Sequence, residues 1–391
     1  MTWAPKRDRT ILIPAIGAQL ISTTSMFIVP VLLDALQRAG LSGAAAGSLF
    51  SLELVVSALT TLLVPIVCPP HSFRRGALLG GTLAILGTLL TLVSPAFTFL
   101  IAARLIAGFG AGLAAAEATM VVARGFDRER LIAILTVVSI VNAACWLAIL
   151  PYALDGFGYR GPYGCLLLIC LFGTFLLTRL PSPTRQASGG RRARHGRWQG
   201  CWSLVAAAIF LSQLGQGAFW SLEEDFGAAA GFADHTIGLL LSLATLFLLV
   251  GAVGTAWAGA RFGRFAPLLA LTLLNALSIL AVVMIPDQTV FIAANLVQSV
   301  TNLSSVIYQL GLAASLDRSG RLVSVGTGLL TLGNGIGPSL STSLDTAFGT
   351  GGVGLLLLVL YGLALALYCL VGLHFKSGET AKTPASASGI N

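Results

Sequence analysis

Three ionisable side chains stand well inside long apolar stretches of this chain: Glu53, Arg104 and Glu117. A charge surrounded by hydrocarbon is costly, so such a group faces the protein interior, a wet cavity or a partner. Glu53 lies near the middle of its stretch. Burial favours its neutral form, while water or a nearby cation favours the ionised one, and a carboxyl that alternates between the two carries a proton. The plainer reading is a protonated or hydrogen-bonded acid that joins two helices. Arg104 lies at a depth from which it reaches Glu53 on a neighbouring helix; a structural ion pair or a snorkelling side chain is the alternative. Glu117 is 13 residues past Arg104 and, at 100° per residue, points to another face. It is nearer the end of its helix, where water alone accounts for it.

Amides form a second pattern. Asn295, Gln298, Asn302, Ser305 and Gln309 recur at steps of 3, 4, 3 and 4 in an otherwise apolar run, which places them on one helical face. Lipid rejects such a face, so it looks inward, as a cavity wall that hydrogen-bonds a polar solute or as polar contact between helices. Gln213, Gln216 and Trp220 repeat the theme on another stretch, although Trp220 also fits an interfacial anchor. Gln19, Ser22, Thr23 and Met26 share a stripe whose hydroxyls can bond back to their own helix. Glu223, Glu224 and Asp225 read as a solvated acidic loop.

The elements that hold these residues follow from composition. Of 391 residues, 56% are apolar and only 10% charged, with mean hydropathy +0.89. A water-soluble domain carries charge at roughly a quarter of its positions, so the bilayer is part of this chain's solvent. Apolar runs long enough to span lie near 11–33, 43–67, 76–94, 97–123, 131–153, 162–179, 201–222, 236–258, 265–285, 288–313, 322–344 and 353–374. The basic segment before the first run resembles a secretory signal, but that run is too long for one and reads as a spanning helix. With the N-terminus inside, every Lys and Arg except Arg38, Arg104 and Arg160 falls on the cytoplasmic side, while Asp34, Asp155, Glu223, Glu224, Asp225, Asp234, Asp287 and Asp345 fall outside. This asymmetry supports twelve spans with both termini cytoplasmic. The expected fold is therefore all-α and integral to the membrane: twelve transmembrane helices in two pseudo-symmetric six-helix bundles.

Residues 181–200 are polar and hold Arg191, Arg192, Arg194 and Arg197, a cytoplasmic linker that can touch anionic lipid. It separates bundles at 1–180 and 201–375, with a cytoplasmic tail at 376–391. The halves look like copies. Gly47-x-x-x-Ser51-Leu52 matches Gly238-x-x-x-Ser242-Leu243 at an offset of 191, and Arg74 with Arg264, and Asp127-Arg128 with Asp317-Arg318, match at 190. Parallel six-helix repeats suit a rocking carrier with a midplane site.

The segments Gly259-x-Arg261-x-Gly263-Arg264 and Arg104-x-x-x-Gly108-x-Gly110 are two motifs that resemble the major facilitator superfamily. Gly259-Ala260-Arg261-Phe262-Gly263-Arg264 is similar to the family's loop signature after the second helix of a half, with Ala260 where an acid is usual. Its first-half copy, Pro70-His71-Ser72-Phe73-Arg74-Arg75, keeps the basic pair. Arg104-Leu105-Ile106-Ala107-Gly108-Phe109-Gly110-Ala111-Gly112 resembles the family's Arg-x-x-x-Gly-x-Gly pattern, which is often tied to proton coupling. The Gly-Pro-x-x-Gly-Gly run of family antiporters is absent from the fifth span, which reads Asn142-Ala143-Ala144-Cys145-Trp146. The resemblance implies a secondary active transporter that moves a small organic solute by alternating access, with proton-coupled efflux as the leading expectation. Proton-linked uptake of an organic nutrient or metal chelate is the alternative, then lipid transport or sensing.

On that reading Glu53, Arg104 and Glu117 are candidates for proton coupling. Gln19, Ser22, Gln213, Gln216, Trp220, Asn295, Gln298, Asn302 and Ser305 are candidates for the substrate cavity. Arg74, Arg75, Arg261, Gly263 and Arg264 belong to the conformational loops. The expected setting is a bacterial inner membrane, as a monomer among membrane lipids. No enzyme motif, metal-ligand spacing, cofactor segment or nucleic-acid face is present, and the six scattered cysteines read as small buried hydrophobes. The net charge of +8 sits in loops between apolar runs.

Overall fold

The computed structural model describes residues 6–67, 73–122, 128–180, 199–258, 265–316 and 321–380. These residues form helices and no strands: α1 (Lys6–Phe27), α2 (Val29–Arg38), α3 (Gly43–Val67), α4 (Phe73–Val93), α5 (Phe97–Val122), α6 (Arg128–Phe157), α7 (Arg160–Leu177), α8 (Gln199–Ser221), α9 (Glu223–Ala229), α10 (Asp234–Ala258), α11 (Phe265–Met284), α12 (Gln288–Leu316) and α13 (Arg321–Thr380). Residues 181–198 of the linker and the Arg261, Gly263 and Arg264 loop lie outside the described residues, while Gln199 and Gly200 already belong to α8.

Ten of these stretches are long and apolar enough to span a bilayer. The bent pair α1 and α2 adds an eleventh, angled by 59°. Pro30 stands in the first turn of α2, and a proline lacks the N–H that would continue the helix above it. The stretch Val325–Leu373 within α13 is two spans, because Gly349 breaks it at φ 65° and ψ −167°. That backbone is open to glycine and strained for any residue with a Cβ. The total among the described residues is twelve, and the chain is a multi-pass membrane protein. Its surface has the matching inversion: Leu63, Leu79, Val93, Leu168, Val253 and Leu355 are exposed, with no water-facing polar coat over them.

The helices fall into two bundles, α1–α7 and α8–α13. Their two main seams are α3 against α13 and α6 against α10. The repeat glycines sit in these seams. A Cβ on Gly47 would strike Thr342 and the Pro338 carbonyl of α13, and one on Gly238 would strike the Leu147 carbonyl and Pro151 of α6. Each half thus offers the glycine of its second span to the fifth span of the other half. The sequence match is a symmetry of contact. Ser51 adds a polar tie, its Oγ accepting from Ser339 N at 2.7 Å.

At the end opposite the start of α1, called distal below, α2 packs on α8 and α9. The expectation of a solvated acidic loop fails here. The segment folds as the short helix α9, with Glu223 and Glu224 buried at 1% and 8% exposure and only Asp225 exposed. Periodicity over three residues carries no burial signal, so the sequence does not reveal this.

Candidate functional site

Glycine decides the geometry of the N-terminal half. Gly108 of α5 lies so close to the backbone carbonyl of Glu53 on α3 that a Cβ would not fit. Arg104 precedes Gly108 by four residues and shares its face, so the approach delivers the guanidinium to the carboxylate. Arg104 is fully buried, and its Nη1 donates to Glu53 Oε2 at 3.0 Å. Its Nη2 donates to the Gly87 carbonyl at 3.3 Å and to Thr91 Oγ1 on α4. The Tyr163 ring of α7 stacks 5.2 Å from the guanidinium carbon. Ser25 Oγ of α1 donates to the second Glu53 oxygen at 2.9 Å. One buried ion pair therefore ties α1, α3, α4, α5 and α7 together. Glu117 is apart from it, buried against Gly76 at the start of α4, next to the exposed Arg74 and Arg75.

The C-terminal half has amides where its counterpart has charges. Gln298 Nε2 donates to Gln216 Oε1 at 2.9 Å, which also accepts from Tyr361 Oη at 3.4 Å. Asn275 Nδ2 donates to that hydroxyl at 3.0 Å, and Thr301 Oγ1 donates to Asn275 Oδ1 at 3.2 Å. Asn334 Nδ2 donates to Gln213 Oε1 at 3.0 Å.

The halves enclose a cavity of about 70 Å³. Met26, Phe27, Val29 and Leu54 line it from the first half, and Gln216, Gly217, Trp220, Thr245, Leu248, Gln298, Ser299, Asn302, Asn334 and Pro338 from the second. No ionisable side chain is among them. Met26 and Leu54 directly follow Ser25 and Glu53, so the cavity wall and the ion pair share backbone.

Of the sequence-derived cavity residues, Gln216, Trp220, Gln298 and Asn302 line this space, and Gln213 stands behind it as the partner of Asn334. Ser305 does not; it bonds Thr272 of α11 at 3.0 Å and receives Gln309 Nε2 at 3.1 Å. Gln309 also reaches Ser212 of α8 at 3.3 Å, so the lower part of the stripe is helix contact. Asn295 is buried outside the lining, and neither of its side-chain polar atoms has a hydrogen-bond partner. Gln19 and Ser22 are outside it too, with Ser22 and Thr23 hydroxyls turned to the Gln19 carbonyl. The reading of the sequence missed Asn334 and Ser299. Asn334 is an amide among Gly333, Gly335 and Gly337, and its signal is polarity in a stretch otherwise marked by small residues. It also missed Asn142, which donates to Thr24 at 2.9 Å and accepts from Trp146 at 3.0 Å, linking α6 to α1.

The model of the Major Facilitator Superfamily matches residues 15–207. Two solved structures share the fold at low identity. One is the human organic anion transporter MFSD10 (TETRAN), 15% identical, with a TM-score of 0.68 over 93% of this chain and 100% of that one. The other is the nucleoside transporter NupG, 12% identical, with a TM-score of 0.71 over 92% of this chain and 98% of that one. No curated protein matches the sequence. The family model is matched across the first bundle, just under half of the chain, and the fold of the two transporters spans both bundles; the chain is similar to the major facilitator superfamily and shares the fold of these transporters.

Proposed function

We propose that the protein carries a small, uncharged, hydrogen-bonding organic solute by alternating access, coupled to protons, with export as its direction. The observation that carries this reading is the cavity between the halves, walled by four amides, two hydroxyls and Trp220 and free of ionisable side chains. An ionised solute would leave water with no counter-charge in that lining, at a cost of several kcal/mol. A neutral solute replaces its water hydrogen bonds with Gln216, Gln298, Asn302 and Asn334. A nucleoside, the substrate class in the name of one structural neighbour, fits such a lining. An organic anion, that of the other, meets no cation there.

Glu53 is the proton carrier in this reading. Protonating it removes the partner of a fully buried Arg104, which is strongly unfavourable unless the guanidinium finds other partners. Proton binding therefore requires the five-helix cluster to rearrange. Ser25 and Glu53 transmit the rearrangement to Met26 and Leu54 at the cavity. Arg104 is the partner that Glu53 gives up on protonation, and Glu117, away from both, takes no part. Export is supported by the resemblance to compact members of the family with little structure outside the membrane. The distribution of Lys and Arg supports a cytoplasmic position for both termini.

The test uses proteoliposomes with a pH-sensitive dye inside and a panel of neutral solutes beside anionic and cationic analogues. Neutral members alone should drive a pH change, and its sign for a known gradient separates exchange from co-transport. Co-transport would replace export with proton-linked uptake. A response confined to charged analogues would overturn the substrate class. Glu53→Gln should keep solute binding and lose the pH change; a pH change of wild-type size in that variant would remove Glu53 as the carrier.

A further inference from the structure

The distal end is shut by two layers of different chemistry. The outer layer is ionic. Arg38 of α2 pairs with Asp34 at 2.8 Å and Asp155 of α6 at 3.3 Å in its own half, and with Asp234 of α10 across the seam. These groups are about a quarter to a half exposed, where ion pairs contribute little. The inner layer is α9, held under α2 and against α8, α10 and α12. Glu224 lies there at 8% exposure, and its Oε2 is out of contact with water and has no hydrogen-bond partner.

The groups that face Glu224 are mostly of its own sign. From α2 they are Asp34 and Arg38, from α10 Asp234, and from α9 itself Asp225. His235 of α10 points instead to Tyr152, ring to ring at 6.2 Å. The last turns of α8 and the first turns of α12 bring no titratable side chain, and Asp345 of α13 acts on Asp225 rather than on Glu224. One guanidinium thus stands against four carboxylates besides Glu224: Asp34, Asp155, Asp234 and Asp225. No group of carboxylates, histidines or cysteines among the described residues is arranged to hold a metal ion. What remains to neutralise a buried carboxylate with an unsatisfied oxygen is a proton.

We propose that closing the distal end binds a proton at Glu224, which makes this gate a proton site separate from Glu53 and Arg104. Burial, followed by the like charges of Asp34, Asp234 and Asp225, pushes the Glu224 carboxyl up to about 8 in the closed form. When α2 parts from α9, water reaches the carboxyl and its affinity for protons returns towards that of an ordinary glutamate, near pH 4.3. The sign follows from linkage. The closed form binds the extra proton, so closure is strongest below about pH 4.3 and weakens as pH rises to about 8. Between these limits the closed-to-open ratio falls up to about tenfold per pH unit for one proton. On the proposed orientation this end faces the acidic side of a proton gradient, so the gradient itself shuts the gate. Glu223 is also buried and raised by burial alone, but no charge of α2 faces it, so its proton is not tied to this seam.

The experiment is a distance measurement on the full chain in lipid nanodiscs. Fluorophores are attached through non-canonical amino acids at the exposed Phe157 and Ala233, on opposite sides of the seam. In the wild type the open population should rise between about pH 6 and 8 and then level off. Glu224→Gln should stay closed across that range, while Glu223→Gln and Glu53→Gln should keep the step. A wild type without the step overturns the proposal without reference to any variant. A step that survives Glu224→Gln, or disappears only in Glu223→Gln or Glu53→Gln, overturns the assignment to Glu224. Because no solute is present, the result is independent of the substrate reading.

Discussion

The middle of the first half and the middle of the second are built from opposite materials. The first centres on a charge pair, Arg104 and Glu53, with hydroxyls and an aromatic ring packed round it. The second centres on neutral amides: Gln298 bonds Gln216, Asn275 joins them through Tyr361, and Asn334 bonds Gln213, with Gln216, Gln298 and Asn334 facing the cavity. The halves share their seams and their repeat glycines, so this difference is not one of fold. A buried charge pair has two protonation states and is costly to break. An amide cluster has one, and exchanges hydrogen bonds with a solute at small net cost. In the proposed function, the first half is suited to an ion and the second to a substrate.

The strongest challenge to that division is Arg104→Met. It leaves a buried carboxylate without its cation and should cost about 3–5 kcal/mol in thermal unfolding of the purified protein. Glu53→Gln combined with Arg104→Met should recover most of that stability while transport remains unresponsive to pH. If the double variant were as unstable as the single one, the pair would be serving the packing of the bundle rather than a proton. A middle-sized effect is expected from Asn302→Leu. Removing one cavity amide should weaken solute affinity by about 1–2 kcal/mol, roughly ten-fold, and leave the pH dependence alone. A change in pH dependence in this variant would erase the separation between the halves. The smallest effect belongs to Ser305→Ala. Its hydroxyl serves Thr272 and Gln309, so the loss should be about 0.5–1.5 kcal/mol of stability with solute affinity unchanged. Weakened affinity there would extend the site down the whole amide stripe.

Much of this architecture is legible before any coordinates. Long apolar runs and the one-sided placement of Lys and Arg specify the spans, because the bilayer imposes one length and one sign rule on every helix. Glu53 and Arg104 stand out because charges inside such runs are rare. The face shared by Asn295, Gln298, Asn302, Ser305 and Gln309 is legible from its period. What that face does is not uniform along its length. Gln298 and Asn302 meet a gap, Ser305 and Gln309 meet other helices, and Asn295 meets neither a partner nor the cavity lining. Periodicity reports the direction of a side chain from its own axis and says nothing of what stands opposite.

The sequence by itself determined the spanning stretches, the buried charges Glu53 and Arg104 and part of the amide lining, since length, hydropathy and charge act locally against the membrane. Tertiary structure alone decided the pairing. Gly108 brings Arg104 to Glu53, Asn334 joins the cavity from a distant span, and α9 folds under α2 so that Glu224 loses its water. Each depends on how closely two backbones approach and on what fills the space between them. That is a property of two segments together, which neither segment carries alone.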